Sequence, residues 1–243
     1  HKSELDEKQS KYIGIIKTSA DNLLVIINDI LDISKIESGK FTIEEIPFNL
    51  HEKVSHVYES LRVKAEEKGL GFNVDYNQAL SENYIGDPVR ITQVLINLTG
   101  NAIKFTENGS VTIRVTPVED ASNGISISVV DTGIGIAQDK IQHIFESFTQ
   151  ESADTTRKFG GTGLGLAISK QLIELMNGQL IVESVQGKGS SFIVKLPLLA
   201  TNEMPADGKN IVPVNSEIRK DLKILLAEDN QFNQMVAEDT LRM

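Results

Sequence analysis

Apolar residues recur through the first forty positions at alternating intervals of four and three. Tyr12, Ile16, Leu23, Ile26, Ile30 and Ile33 form the series once Ser19 is counted, which is the heptad spacing of a buried helical seam. A second row, Ile13, Ala20, Leu24, Ile27 and Leu31, widens the stripe beyond what a two-stranded seam buries. The pattern therefore predicts one helix of a four-helix bundle over residues 5–39, ended by Gly39. Residues 41–48 read as a strand, 50–68 as a helix and 70–76 as a second strand. After a polar loop, Asp87 caps a further helix with Pro88 in its first turn. Strands follow at 110–118 and 124–131, joined through Asn123-Gly124 as an antiparallel pair. A Gly- and Ser/Thr-rich segment then gives way to a helix ending near Asn177-Gly178, and two strands follow at 179–184 and 191–196. The order predicts an α+β chain: a helical segment, then an α/β sandwich.

From 199 to 221 the composition shifts to Pro, Asn, Asp and Glu, as in an interdomain linker. Beyond it, residues 222–227 suggest a short buried strand, and Glu228-Asp229-Asn230 caps a final helix. One strand and one helix bury no core by themselves. The predicted organisation is thus a bundle helix at 1–40, a sandwich at 41–198, the linker, and the opening of another domain at 222–243.

With 243 residues, 40% of them hydrophobic, the chain has the material for a substantial core. No apolar run approaches the roughly 18 residues that span a bilayer, and no secretory signal opens the sequence, so this stretch is expected to work in water, with any anchor outside it. The absence of cysteine removes disulfides and thiolate chemistry. A formal charge of −10 argues against a nucleic-acid surface, because phosphate backbones attract clustered Lys and Arg.

Four separated signatures carry the candidate chemistry. In Asn97-x-x-x-Asn101-x-x-Lys104, the polar residues recur at helical spacing beside an apolar face of Ile91, Val94, Leu95, Leu98, Ala102 and Phe105. Carboxamide oxygens suit a hard cation, and Lys104 offers a point charge to phosphates, as Mg-ATP requires. The same letters also fit a solvated helix face. Asp131, in Asp131-Thr132-Gly133-Ile134-Gly135, shares strand parity with Ile125, Ile127 and Val129, so its carboxylate is expected on the apolar side. Burying it unpaired costs several kcal/mol, roughly, and the exocyclic amine of adenine is a suitable donor. Gly133 and Gly135 then let the chain approach the base. A strand-end Asp opening a turn is the plainer alternative.

Gly160-Gly161-Thr162-Gly163-Leu164-Gly165 precedes a helical pattern, placing backbone N–H groups at a helix start where phosphates bind. It matches neither the dinucleotide glycine pattern nor a P-loop. Arg157 and Lys158 stand upstream, within reach of a terminal phosphate or simply solvated. Phe145-x-x-Phe148 reads as a hinge for the segment between. His1, His51, His56 and His143 show no metal spacing. Glu228 and Asp229 suit either a magnesium site or an acidic helix start.

The four blocks, in this order, closely resemble the N, G1, F and G2 boxes of sensor histidine kinases. The resemblance extends to Ile30-Leu31-Asp32-Ile33-Ser34-Lys35-Ile36-Glu37-Ser38-Gly39-Lys40, similar to the end of the second dimerisation helix, and to Pro47-Phe48-Asn49-Leu50, similar to the entry of the ATP-binding domain. Lys223-Ile224-Leu225-Leu226-Ala227-Glu228-Asp229-Asn230 resembles the first strand of a receiver domain, which implies a hybrid kinase.

The resemblance implies a Bergerat-type ATP-binding fold of the GHKL ATPase superfamily, using ATP and Mg2+. Asn101 would ligate magnesium, Asn97 and Lys104 contact phosphates, and Asp131 bond adenine. Gly161, Gly163 and Gly165 would anchor the lid, with Phe105, Gly133, Gly135, Arg157, Lys158, Thr162 and Leu164 completing the site. It further implies a homodimer through the N-terminal helix, a receiver and a downstream response regulator or phosphotransfer protein as partners, and a cytoplasmic position in a parent anchored in the inner membrane. Related ATPases commonly carry Glu where this chain has Asn97. Asn97 is no general base, which favours phosphoryl transfer to a side chain over hydrolysis. His1-Lys2-Ser3-Glu4-Leu5 does not match the family's phosphoacceptor box, so the acceptor His is expected outside this chain. A nucleotide-binding, dimerising module without transfer is the alternative.

Overall fold

A computed structural model describes residues 6–118, 124–146, 163–205, 225–228 and 231–241, without the side chains of Asp21, Asn22, Phe232, Val236, Asp239 and Leu241. Helix α1 runs from Glu7 to Glu37. It starts in a capping box: the Asp6 carboxylate accepts the Gln9 N–H at 2.7 Å, and Gln9 Oε1 accepts the Asp6 N–H at 3.1 Å. It ends where the N–H groups of Gly39 and Lys40 donate back to Ile36 and Lys35 carbonyls. Most of the predicted stripe stays in solvent, with Ile16 66% and Leu23 56% exposed. Only the last turns, at Ile33 and Ile36, pack on the core.

The sandwich follows in chain order. Strand β1 (Ile46–Asn49) leads into α2 (Leu50–Glu67), capped by Asn49 Oδ1 on the Glu52 N–H at 2.8 Å. Strands β2 (Gly71–Tyr76) and β3 (Asn83–Gly86) precede α3 (Pro88–Phe105), and β4 (Ser110–Pro117) and β5 (Ile125–Asp131) come next. Helix α4 (Gly165–Leu175), β6 (Gln179–Val185), β7 (Gly189–Leu196) and β8 (Leu199–Ala200) complete the domain. Five strands form one sheet in the order β2-β4-β5-β7-β6, with β2 and β4 parallel and the other neighbours antiparallel. The parallel pair requires a crossover, which α3 supplies. A smaller antiparallel sheet has the order β1-β3-β8.

One face of the large sheet presents Val111, Ile113, Val115, Ile125, Ile127, Val129, Val194 and Leu196, all buried. Against it pack α2, α3 and α4 through residues including Val54, Val57, Leu95, Leu98, Ile103, Leu172 and Ile173. Strand β5 alternates strictly between buried and half-buried positions, as period-two patterning requires.

The structure departs from the sequence pattern in four places. The strand expected over 41–48 is confined to Ile46–Asn49, because only those four residues find partners on β3. Residues 83–86, expected as loop, form that partner strand. Leu199 and Ala200 pair with Ile85 and Tyr84, so the sheet continues two residues into the segment expected as linker. Of the strand expected at 222–227, residues 222–224 lie outside the described residues, and 225–227 are not in a strand. Asn123, expected in the β4–β5 turn, also lies outside them.

The chain divides into two compact units, His1–Asp207 and Gly208–Met243. In the second, α5 (Gln231–Leu241) follows residues 225–228, and Leu225 is exposed. Among the described residues no helix is long and apolar enough to cross a membrane.

Candidate nucleotide site

Helix α3 begins rigidly. Asp87 Oδ1 accepts the Val89 and Arg90 N–H groups at 3.1 and 3.0 Å, while Oδ2 accepts the Glu44 N–H at 3.1 Å. The helix ends under an unexpected cap: Lys68 Nζ, from just beyond α2, donates to the carbonyls of Ile103, Lys104 and Thr106 at 2.7, 2.8 and 3.2 Å. A cation at a helix C-terminus also meets the negative end of the helix dipole. Between these anchors, Asn97 and Asn101 lie one turn apart. Asn101 Nδ2 donates to Asn97 Oδ1 at 3.4 Å, and Asn97 Nδ2 donates to Ser169 Oγ of α4 at 2.8 Å. Among the described residues, no donor meets the Asn101 Oδ1.

Helix α4 starts against that pair. A Cβ on Gly165 would sit 2.3 Å from Asn97 Oδ1, so only glycine lets the helix start this close to the carboxamide. Leu164, buried at the N-cap position, has no polar side chain to cap the first turn. The first N–H groups of α4 have no carbonyl one turn back within the helix. Gly163 precedes it at φ +72°.

Asp131 ends β5 opposite Val111 and Ser190, and is buried as its strand parity predicts. Oδ1 accepts the Gly133 N–H at 2.8 Å and the Ser190 N–H at 3.3 Å. Burial pushes this carboxyl above the ordinary carboxylate range, and the two N–H donors pull partly back. The expectation that a buried acid here needs donors is met first by the backbone; Oδ2 has no protein donor among the described residues. Gly133 crosses the end of α3, where a Cβ would lie 2.5 Å from the Phe105 carbonyl. Gly135 passes the Val185 carbonyl, and the Ile136 N–H donates to Ser184 Oγ at 2.8 Å. A cavity of about 390 Å3 lies further along this loop, lined by residues including Ile136, Asp139 and Ser184. It is lined by neither Asn101 nor Asp131, so the side-chain geometry and not the cavity defines the site.

Lys104 is half-buried, its ammonium 4.6 Å above the Phe105 ring. Burial lowers its pKa first, and the neighbouring Lys64 charge adds to that. Phe145 lies under the Lys170 ammonium at 5.4 Å. Phe148, Arg157, Lys158, Gly161, Thr162 and Asp229 lie outside the described residues. Glu228 Oε1 accepts Asn233 Nδ2 at 3.1 Å, and among the described residues no three His, Cys, Asp or Glu side chains gather at a metal position. Sequence reasoning missed Lys68, Ser169, Ser184 and Ser190. Ser190 was recoverable, since aligning β7 on β5 sets it opposite Asp131.

The family description "Histidine kinase-, DNA gyrase B-, and HSP90-like ATPase" matches residues 86–200, and "His Kinase A (phospho-acceptor) domain" matches residues 1–39. The autoinducer 2 sensor kinase/phosphatase LuxQ of Vibrio cholerae is 38% identical over 241 residues, covering 98% of this chain and 28% of its own length. The chain spans about a quarter of the length of the curated relatives it matches. Among solved structures, full-length ShkA in complex with AMPPNP superposes with a TM-score of 0.71 at 31% identity, covering 82% of this chain and 41% of that one. The catalytic domain of the histidine kinase ThkA gives a TM-score of 0.53 at 32% identity, covering 63% of this chain and 95% of that domain. With one family description on the residues of α1, the other on residues 86–200 of the sandwich, and the ThkA catalytic domain superposing on the same fold, this chain belongs to the sensor histidine kinases.

Proposed function

We propose that the chain is the ATP-dependent core of a hybrid sensor histidine kinase, which transfers the γ-phosphoryl group of ATP to a His on its dimerisation helices. The single observation that carries the reading is Asp131. It is a buried carboxylate with one oxygen held by two backbone N–H groups and the other left for a ligand donor, which fits the exocyclic amine of adenine. Gly133 and Gly135 give the base its approach. Asn97, Lys104 and the glycine-led start of α4 at Gly163, Leu164 and Gly165 would bind the phosphates, with Phe105 beside them. Arg157, Lys158, Gly161 and Thr162 belong to the same reading through sequence alone.

Asn101 Oδ1 fits a magnesium ion: it is a neutral hard donor, freed by the bond its own Nδ2 makes to Asn97. Magnesium, when bound, would offset negative charge on the triphosphate. The chain's own residues orient the nucleotide, and the carboxamide at Asn97 is no base to activate water. The exposed stripe of α1 would pair with a second copy to build the bundle, and a response regulator or phosphotransfer protein would take the phosphoryl group onward. The segments 1–40, 41–198, 199–221 and 222–243 are read as dimerisation helix, ATP-binding domain, linker and receiver start, with β8 extending the second by two residues. The kinase is assigned to the cytoplasmic side of a membrane-anchored parent.

The test uses a chain extended upstream of His1 to include the acceptor. Incubated with γ-labelled ATP and magnesium, it should gain label that is acid-labile and base-stable, as phosphohistidine is. Nucleotide binding with no such label would overturn the transfer reading.

A further inference from the structure

Helix α1 inverts the usual rule of burial. Tyr12, Ile16, Leu23, Leu24, Val25, Ile30 and Leu31 are all about half exposed or more, while the charged Asp32 is buried at 9%. A carboxylate is withdrawn from water only where partners hold it. Its partners come from α3, some sixty residues along the chain. Gln93 Nε2 donates to Asp32 Oδ2 at 3.0 Å, Arg90 Nη1 stands 3.5 Å from the same oxygen, and Arg90 Nη1 also donates to Gln93 Oε1 at 2.9 Å. The three side chains form a closed triangle. Arg90 is held from its other face by Phe41, whose ring lies 4.6 Å from the guanidinium carbon. A separate tie runs beside it, from the Glu44 N–H to Asp87 Oδ2. The start of α3 is thereby fixed both to α1 and to the segment connecting α1 with β1.

Gln93 occupies a telling position on α3. Gln93, Asn97 and Asn101 follow one another at intervals of four, on a single stripe of one helix. At 1.5 Å per residue, Gln93 stands only about 6 Å along the axis from Asn97. The helix that meets α1 through its first turns meets the nucleotide through its next ones. Its two ends are tied, by Asp87 and by Lys68, and the continuous helix between them fixes Gln93 relative to Asn97 and Asn101.

We infer that Asp32, Arg90 and Gln93 are positioning residues, a polar joint that sets the orientation of the ATP-binding domain on the dimerisation helix α1 and so aims the γ-phosphate at the acceptor carried by the same bundle. The inference rests on the kinase reading above. Arg90 and Gln93 act through the rigid helix rather than by touching ATP, so the joint governs turnover and leaves nucleotide affinity alone. Fixing two reactants in one orientation is worth orders of magnitude in rate, and loosening the fixture gives that back.

The test is a charge swap in the upstream-extended chain. Asp32→Arg sets two guanidinium groups together, Arg90→Asp sets two carboxylates together, and the double exchange restores an opposite-charge pair. Each single substitution should lower the autophosphorylation kcat at least tenfold with the Kd for Mg-ATP within twofold of the parent, and the double variant should return to within threefold of parental kcat. Hydrogen exchange of residues 40–45 gives a readout that needs no chemistry: it should quicken at least tenfold in each single variant and slow again in the double. Parental turnover in the singles, a parallel loss of ATP affinity, a double variant as slow as the singles, or unchanged exchange would each overturn the joint. A parent chain that never forms phosphohistidine, yet shows the exchange pattern, would refute the kinase reading and keep the joint as a structural coupling.

Discussion

Asp131→Asn separates what this residue does for the nucleotide from what it does for the fold. The substitution keeps an oxygen for the Gly133 and Ser190 N–H groups, now at 2.8 and 3.3 Å from Oδ1. At the other end it replaces a carboxylate oxygen with an NH2 group, which would meet the adenine amine proposed there donor to donor. Losing a charge-assisted bond costs about 1.5–3 kcal/mol, a fall in affinity of about tenfold to 150-fold. Stability should move the other way. Burial raises the folded pKa of Asp131 above its unfolded value, so between those two values the native state binds more protons than the unfolded chain. Stability therefore falls as pH rises through that window, and the cost of the ionised acid is fully present above it. The asparagine variant carries no such cost. Calorimetric titration with Mg-ATP at neutral pH should show the weaker binding, while thermal melts without nucleotide should show an equal or higher Tm for the variant. That Tm advantage should shrink as pH falls through the same window and be gone once pH is below the ordinary carboxylate value. An affinity within threefold of the parent would refute the adenine contact, and a lower Tm at neutral pH would refute the account of the buried charge.

Two further substitutions probe the frame around that contact. Gly165→Ala forces a methyl group to within 2.3 Å of Asn97 Oδ1, which must displace α4 or the carboxamide; overpacking of this kind costs about 1–3 kcal/mol, and ATP binding measured by fluorescent-analogue displacement should fall at least tenfold. Lys68→Met keeps the aliphatic stem but removes three hydrogen bonds from the end of α3; at this solvent-accessible cap the loss should be about 1 kcal/mol, or a few degrees in Tm by differential scanning calorimetry, with a smaller loss of ATP affinity because Lys104 sits in the freed turn.

What the sequence made legible is what repeats locally. The stripe of α1, the Asp87-Pro88 start of α3 and the alternation through β5 each repeat within a few residues, and each reports a face that must be dry. The buried side of Asp131 followed from the same parity. Contacts between distant segments have no such signature. Strand β3 is four residues long, and its pairing with β8 joins positions more than a hundred apart, so no window of sequence contains both. Lys68 reads as one more surface lysine until α2 lies beside the end of α3. Asp32 is the sharpest case, because helical periodicity sets it beside Ile33 and Ile36 at the edge of the apolar stripe, where a charge looks like an interruption. Its meaning lies on another helix. A buried acid in a helix whose apolar residues stay wet marks the place where that helix stops serving its own bundle and begins to hold the neighbouring domain. The same physical rule governs both of the acids that matter here. In each, donors meet a single oxygen of the buried carboxylate, but at Asp131 they are backbone N–H groups that leave Oδ2 for the proposed ligand, whereas at Asp32 they are side chains of α3 that tie one helix to another.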